Sequence, residues 1–183
     1  MHHRTLSYPL ALALSAAIAS PALAHEFNLL LLAPAAASGT EMDDMRTAFL
    51  IASAERDSHA NETSEGHLGG LDVQLTLMRI GEAAADEVPD VVVAPFAAAG
   101  DAQVAALAAP GDAVIVDAEV LARTVPEERD DLAPFAERFL AETGRTADAA
   151  ALGVYRAARV VDLAVRSVDS VDDRDSLRRA LSP

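Results

Sequence analysis

Residues 42–79 read MDDMRTAFLIASAERDSHANETSEGHLGGLDVQLTLMR and contain the pattern that decides the fold. The first half places apolar residues at Met42, Met45, Phe49 and Ala52. This spacing of three and four residues predicts a helix with one buried stripe. After a polar stretch that ends in Gly-His-Leu-Gly-Gly, apolar residues at every second position from 71 to 77 predict a strand. The apolar run 27–32 precedes the helix as a buried parallel strand would, so the segment predicts half of a βαβ crossover.

Two further apolar runs predict two more short strands. Residues 90–94 end at Pro95, and residues 113–117 follow Pro110-Gly111. Helical spacing recurs in residues 100–109, 130–143 and 147–168, and residues 173–181 resemble a short closing helix. Strands that alternate with helices favour an α/β fold with three layers and a parallel, Rossmann-like sheet. We expect four strands, at 27–32, 71–80, 90–94 and 113–117, in the order 2-1-3-4.

The first 24 residues have the layout of a secretory signal peptide. Arg4 is followed by an apolar stretch at 10–18 and by the small-residue triplet Ala22-Leu23-Ala24. The apolar stretch is shorter than the roughly 20 residues that span a bilayer. We therefore expect residues 1–24 to be removed and residues 25–183 to form a single soluble domain in the periplasm, with no membrane insertion after cleavage.

Composition argues against nucleic acid as a partner. The chain has 29 acidic residues, 14 Arg and no Lys, for a net charge of −15. Such a surface repels phosphate backbones and anionic lipid. The acidity is explained either by a genome that favours Asp, Ala and Arg or by a role in binding cations. Cys is absent, so no disulfide stabilises the domain.

No motif in the chain points to catalysis. The sequence lacks a Gly-x-Ser-x-Gly elbow, a phosphate loop and a His-Glu-x-x-His zinc motif. The glycines at 66, 69 and 70 precede a strand, whereas a dinucleotide fingerprint follows one. We expect a protein that is not an enzyme.

Three histidines are candidate metal ligands. Cleavage after Ala24 would make His25 the amino-terminal residue, with an amine and an imidazole that could chelate copper. His59 and His67 flank an acidic loop and could contribute to a copper or zinc site if their imidazoles converge. The ordinary alternative is that these are an exposed end residue and two loop residues. No other cofactor is expected.

Several stretches in order resemble the type I periplasmic solute-binding proteins, the leucine/isoleucine/valine-binding family of ABC transporters. They are Gly69-Gly70-Leu71 with the strand that follows, Val92-Val93-Ala94-Pro95, the helix 135–144 that ends in Gly, and the helix 151–158 around Tyr155. The resemblance covers about one of the family's two lobes. It implies an exported module that acts by non-covalent binding, as an accessory of an ABC transporter. The alternative function is a periplasmic copper-handling protein that uses His25 and the His59–His67 loop.

In this family the carboxyl ends of the strands face the ligand and the second lobe. The corresponding loops here are 33–40, 96–100 and 117–119. They supply the candidate binding residues Pro34, Ser38, Phe96, Ala97, Ala98, Asp117 and Glu119. Because a second lobe is missing, the resemblance implies that this face binds a protein partner or a second copy of the chain. A small amino-acid-like ligand is the other possibility.

Overall fold

The computed structural model describes residues 26–55, 66–83, 87–95, 101–124 and 132–181. The strands are β1 (Glu26–Ala33), β2 (His67–Leu68), β3 (Leu71–Arg79), β4 (Val91–Ala94) and β5 (Val114–Asp117). The helices are α1 (Gly39–Ala54), α2 (Asp101–Ala108), α3 (Ala118–Thr124), α4 (Ala133–Thr143), α5 (Ala149–Val168) and α6 (Arg174–Ala180). A 3-10 turn, Ala109–Gly111, follows α2.

The sheet confirms the mixed α/β class but has five strands, in the order β2-β3-β1-β4-β5. The four predicted strands correspond to β1, β3, β4 and β5. They are parallel to one another, and their order within the sheet, β3-β1-β4-β5, is the predicted one. The strand count and the full order differ from the prediction because β2 pairs antiparallel with β3 at one edge. This strand has two residues, too few to show a period-2 pattern in the sequence.

Side chains from alternate positions of β1 enter two separate cores. Phe27, Leu29 and Leu31 belong to the larger core, which α1, α4 and α5 complete on one face of the sheet. Leu30 and Leu32 point to the other face, where they belong to a smaller core with residues of α2. Helices therefore pack on both faces, and this explains why β1 is apolar at nearly every position.

Helix α1 begins where a reciprocal pair of hydrogen bonds closes its first turn. The Ser38 hydroxyl accepts a hydrogen bond from the Glu41 backbone N–H at 3.2 Å, and the Glu41 carboxylate accepts one from the Ser38 N–H at 2.7 Å. This capping box satisfies two donors that the helix itself leaves unpaired. The hydrogen bond that the Ser38 backbone N–H donates to the Glu41 carboxylate lowers the pKa of Glu41, and the Ser38 side chain adds to this effect.

The turn between β2 and β3 is attached to α5. Asp162 of α5 is fully buried, and its Oδ1 accepts a hydrogen bond from the Gly69 N–H at 2.8 Å. Arg166, one turn further along α5, donates to the same oxygen at 2.9 Å. The buried carboxylate is thus paired with a cation and with a backbone donor, which offsets its desolvation.

Helix length and composition bear on membrane insertion. Within the described ranges, no helix combines the length and the apolar character that crossing a bilayer requires.

Candidate functional site

An open cleft of about 420 Å³ lies beside the carboxyl ends of β4 and β5. Because β1, β3, β4 and β5 are parallel, this is the edge of the sheet where all four strands end. The lining residues are Pro95 after β4, Ala118, Leu121 and Ala122 of α3, and Ala149, Leu152, Gly153 and Arg156 of α5. Open α/β sheets bind ligands at this edge.

Gly153 sets how closely α5 approaches the end of β4. A Cβ atom at this position would lie 3.2 Å from the Pro95 carbonyl oxygen and 3.3 Å from the Pro95 Cβ. A side chain at this position would therefore require Pro95 or α5 to shift by a few tenths of an ångström. Arg156 follows three residues later, so it lies on the same side of the helix and reaches the cleft.

Helix α3 starts directly at the end of β5 and forms the opposite wall. The Asp117 carboxylate accepts a hydrogen bond from the Val120 N–H at 2.8 Å and so caps the first turn. Ala118, Leu121 and Ala122 follow at helical spacing and all line the cleft. Of the residues predicted from sequence, Asp117 therefore adjoins the cleft as a helix cap, and Glu119 is exposed on α3.

The other predicted binding residues are not brought together with this cleft. Ser38 caps α1, and the Pro34 carbonyl accepts a hydrogen bond from the Ala37 N–H at 3.0 Å. Neither residue is part of the cleft lining. Phe96, Ala97 and Ala98 lie outside the described residues.

The cleft combines alkyl walls with one cationic side chain. Seven of its eight described lining residues are Pro, Ala, Leu or Gly, and the eighth is the half-buried Arg156. No hydroxyl, imidazole or carboxylate is among them, so the described lining offers no nucleophile and no general base. The described walls therefore supply apolar contact, and Arg156 adds a cationic group to them.

Tyr155, beside Arg156, holds α5 against α1 and α4. Its ring stacks on Phe135 with centroids 4.1 Å apart. Its hydroxyl donates to the Glu55 carboxylate at 2.9 Å and accepts from Arg159 at 2.8 Å. Burial, followed by the hydrogen bond to Glu55, raises the pKa of Tyr155. Since Tyr155 faces inward, the next residue on the helix is turned toward the cleft side.

The structure places one of the three candidate metal ligands. His67 is nearly buried on β2, and its Nε2 lies 2.7 Å from Oδ1 of Asp72. The two residues are opposite each other across the β2–β3 hairpin. His25 and His59 lie outside the described residues. Among the described side chains, no group of three or more His, Asp or Glu residues is arranged to hold a metal ion.

The chain was also compared with known proteins. No protein-family model, no curated protein sequence and no solved structure gives a significant match. The resemblance to solute-binding proteins therefore stays a prediction from the motifs quoted above.

Sequence reasoning missed the residues of α5 that line the cleft. Arg156 and Leu152 belong to a helix that was predicted from its apolar stripe alone. The available signal was Gly153, a glycine in the interior of a helix, where it destabilises by about 1 kcal/mol relative to Ala. Such a glycine indicates a close approach to another element, which is Pro95 in this fold.

Proposed function

We propose that this chain is an exported binding module, similar to one lobe of a periplasmic solute-binding protein, and that it acts without catalysis. The observation that carries the proposal is the cleft at the carboxyl ends of β4 and β5. This cleft is the proposed binding site. Both its position on the sheet and its apolar lining are typical of sites that bind small molecules or single side chains.

Its size limits what can occupy the site. A volume of about 420 Å³ is near the lower end of the range for small-molecule pockets, which starts at about 300 Å³. It accommodates a small ligand or the end of a protein chain, with the remainder of a protein partner resting on the open rim. Binding of either occupant is consistent with an accessory of an ABC transporter. The proposed location of the protein, the periplasm, follows from the predicted signal peptide.

The choice of binding over catalysis follows from the lining. Known hydrolytic and transfer mechanisms need an activated nucleophile or an acid and base within hydrogen-bond reach of the substrate. The described lining residues supply none of these groups. The His67–Asp72 pair is nearly buried on the hairpin and is not part of the cleft.

Two matched variants on α5 test the location of the site. Leu152→Glu places a charge in the cleft wall, whereas Leu163→Glu places the same charge at a residue that is 56% exposed and does not line the cleft. Leu163 lies roughly 16 Å further along the helix axis. Ligand-observed NMR with a panel of small acids, amides, alcohols and amino acids would measure binding to the mature chain. Light scattering would measure self-association.

We expect Leu152→Glu to abolish binding and Leu163→Glu to leave it unchanged. Circular dichroism should show both variants folded, because Leu152 is only half-buried. Binding that survives Leu152→Glu would place the site elsewhere. Chemical conversion of any bound compound by the wild type would contradict the non-catalytic role.

A further inference from the structure

We propose that β5, at one edge of the sheet, binds a short, extended and basic polypeptide segment of a partner protein, which pairs with it as an additional strand. Three features of the described residues support this: the direction of the backbone groups of β5, the groove beside them and the charges at its ends. The inference does not depend on the proposed function, because no described residue lines both this groove and the cleft.

The backbone groups of β5 point away from the sheet at alternate residues. Val114 is the ladder partner of Val91, and it donates its N–H to the Asp90 carbonyl at 3.0 Å. In a parallel ladder, successive residues of one strand direct their N–H and C=O groups to alternate sides. Both groups of Ile115 therefore point away from β4. Within the described residues the sheet ends at β5, so these groups lie along its edge.

An open groove of about 470 Å³ runs along this edge. Three successive residues, Ala113, Val114 and Ile115, belong to its lining. Successive side chains of a strand point to opposite faces, so a groove that contacts all three lies at the edge of the sheet and not over one face. Its walls come from both layers: α2 packs on the smaller core and α6 on the larger one.

The walls suit the side chains of an added strand. Alternate side chains of an extended segment would contact two different surfaces. One surface is formed by the short side chains of Ala105, Ala108 and Ala109, and the other by Val120 and Leu181. In strand addition, hydrogen bonds of the main chain provide affinity, and pockets for alternate side chains provide specificity. The groove therefore fits a segment with small or medium-sized apolar side chains.

The sequence of β5 favours pairing at its free edge. Edge strands are commonly protected by Lys, Pro or a bulge. Residues 114–117 read VIVD, and their register with β4 is continuous, so the strand contains none of these devices. Its length is four residues, which limits the pairing to a short segment.

The charges at the ends of the groove determine the kind of segment. Asp112 precedes β5 with a side chain that is 76% exposed, and Glu119 is exposed just after the strand. Arg178 also lines the groove, but its guanidinium is paired with Asp112 at 2.6 Å and with Asp175 at 3.3 Å. Three carboxylates and one guanidinium leave an excess of negative charge, in agreement with the net charge of −15. This field attracts a basic segment and repels a second copy of the chain.

Fluorescence anisotropy with labelled peptides tests the assignment on the mature chain. The probe is an amidated peptide, Lys-Val-Thr-Val-Thr-Lys, with a fluorophore at its amino terminus. One control peptide has Glu in place of both Lys residues. The other has methyl groups on its four central backbone nitrogens, which removes the N–H donors and keeps the charge. We expect the probe to bind at least about tenfold more tightly than either control, as the loss of two hydrogen bonds or of the charge attraction predicts.

Variants at Ile115 test the backbone pairing. Ile115→Pro removes the outward N–H, and Pro is tolerated on an edge strand when its nitrogen faces away from the neighbouring strand. It should weaken binding of the probe by about tenfold or more. Ile115→Val keeps the N–H and should bind like the wild type. Leu152→Glu, in the cleft, should also leave peptide binding unchanged.

A variant at Asp112 tests the charge. Asp112 has a φ of +51°, a conformation that Asn also tolerates, so Asp112→Asn removes the charge without adding backbone strain. It should weaken binding of the basic probe by less than Ile115→Pro does. Higher salt should weaken binding of the basic probe in the same way.

Hydrogen exchange followed by NMR decides the question even if Ile115→Pro does not fold. In the free chain the Ile115 N–H should exchange faster than those of Val114 and Val116, and addition of the basic probe should slow it. Three results would overturn the inference: slow exchange of Ile115 in the free chain, binding of the methylated or acidic peptide as tight as that of the probe, and no binding of the probe. Light scattering that shows a dimer, lost in Ile115→Pro, would assign the edge to a second copy and would also overturn it.

Discussion

The two glycines of the turn between β2 and β3 allow the packing of this turn against α5 to be measured as a difference in the free energy of unfolding. Gly69 has a φ of +67° and Gly70 a φ of +88°, so both adopt a backbone conformation that disfavours side chains. A Cβ at Gly69 would lie 2.4 Å from Cγ1 of Val165 and 2.9 Å from the backbone nitrogen of Arg166. A Cβ at Gly70 would meet no atom within 4 Å. Gly69→Ala therefore adds a collision with α5 that Gly70→Ala lacks.

The expected cost has two parts. Backbone strain in the left-handed region destabilises either variant by about 1–2 kcal/mol. Forcing a methyl group against Val165 and the α5 backbone adds about 1–3 kcal/mol, the usual range for overpacking. We expect Gly69→Ala to lower the free energy of unfolding by about 2–5 kcal/mol and Gly70→Ala by about 1–2 kcal/mol. The φ of Gly70 lies further from the left-handed minimum than the φ of Gly69, so backbone strain is at least as large in Gly70→Ala. The difference between the two variants therefore does not overestimate the cost of the collision with α5.

Urea unfolding of the mature chain, followed by circular dichroism, measures both values. Equal m-values for the two variants would show that the differences lie in the folded state. The difference between the variants reports the contact of the turn with Val165. If the two variants unfold at the same urea concentration, the turn does not pack on α5 and the reasoning is wrong.

Three further predictions use the same unfolding assay. Arg166→Ala leaves the fully buried Asp162 carboxylate without its cation and should cost about 3 kcal/mol or more, whereas Asp162→Ala also removes the buried charge and should cost about 1–3 kcal/mol because the part-buried Gly69 N–H loses its acceptor; a smaller loss for Arg166→Ala than for Asp162→Ala would show that the carboxylate does not need the cation. Ser38→Ala should cost about 0.5–2 kcal/mol as the loss of a helix cap and should leave ligand binding unchanged; a weaker ligand affinity would return Ser38 to the binding site. The raised pKa of Tyr155 stabilises the fold fully below the unfolded pKa of about 10, and this contribution is lost as pH rises through the higher folded pKa. With no Lys or Cys in the chain, Tyr155→Phe should remove most of the alkaline loss of stability, and an unchanged pH profile would contradict this assignment.

The elements with long periodic patterns could be predicted from the sequence to within one or a few residues. The apolar run 27–32 corresponds to β1 (Glu26–Ala33), and the alternating run 71–80 corresponds to β3 (Leu71–Arg79). Each signal arises from burial: both faces of β1 are covered by helices, and β3 alternates between the larger core and a less covered face. Periodicity reports which faces are buried, so it locates central strands and amphipathic helices well.

Polar residues at the ends of the elements were harder to interpret. Ser38 follows β1 and Asp117 ends β5, which are positions where ligand-binding residues also occur, and each caps the helix that begins beside it. The sequence predicts His67 as a metal ligand, and the hairpin places this residue opposite Asp72. Capping and ligand binding use the same oxygen-bearing side chains at the same positions in the sequence. Only the geometry of the first turn of each helix separates the two roles.

The cleft depends on a contact between parts of the chain that are far apart in sequence. Pro95 ends β4, and the glycine that packs against it is Gly153, in a helix that begins after α3 and α4 have intervened. No local pattern indicates which side of α5 would meet the ends of the strands. A helix-interior glycine is unfavourable by itself, and the approach to Pro95 is the tertiary contact that accounts for it. Because Arg156 lies one turn beyond Gly153, the same contact that closes the cleft also sets the distance of the guanidinium from the end of β4. The position of Arg156 therefore depends on how α5 packs against the sheet, because a side chain at Gly153 would require α5 and Pro95 to move apart by a few tenths of an ångström.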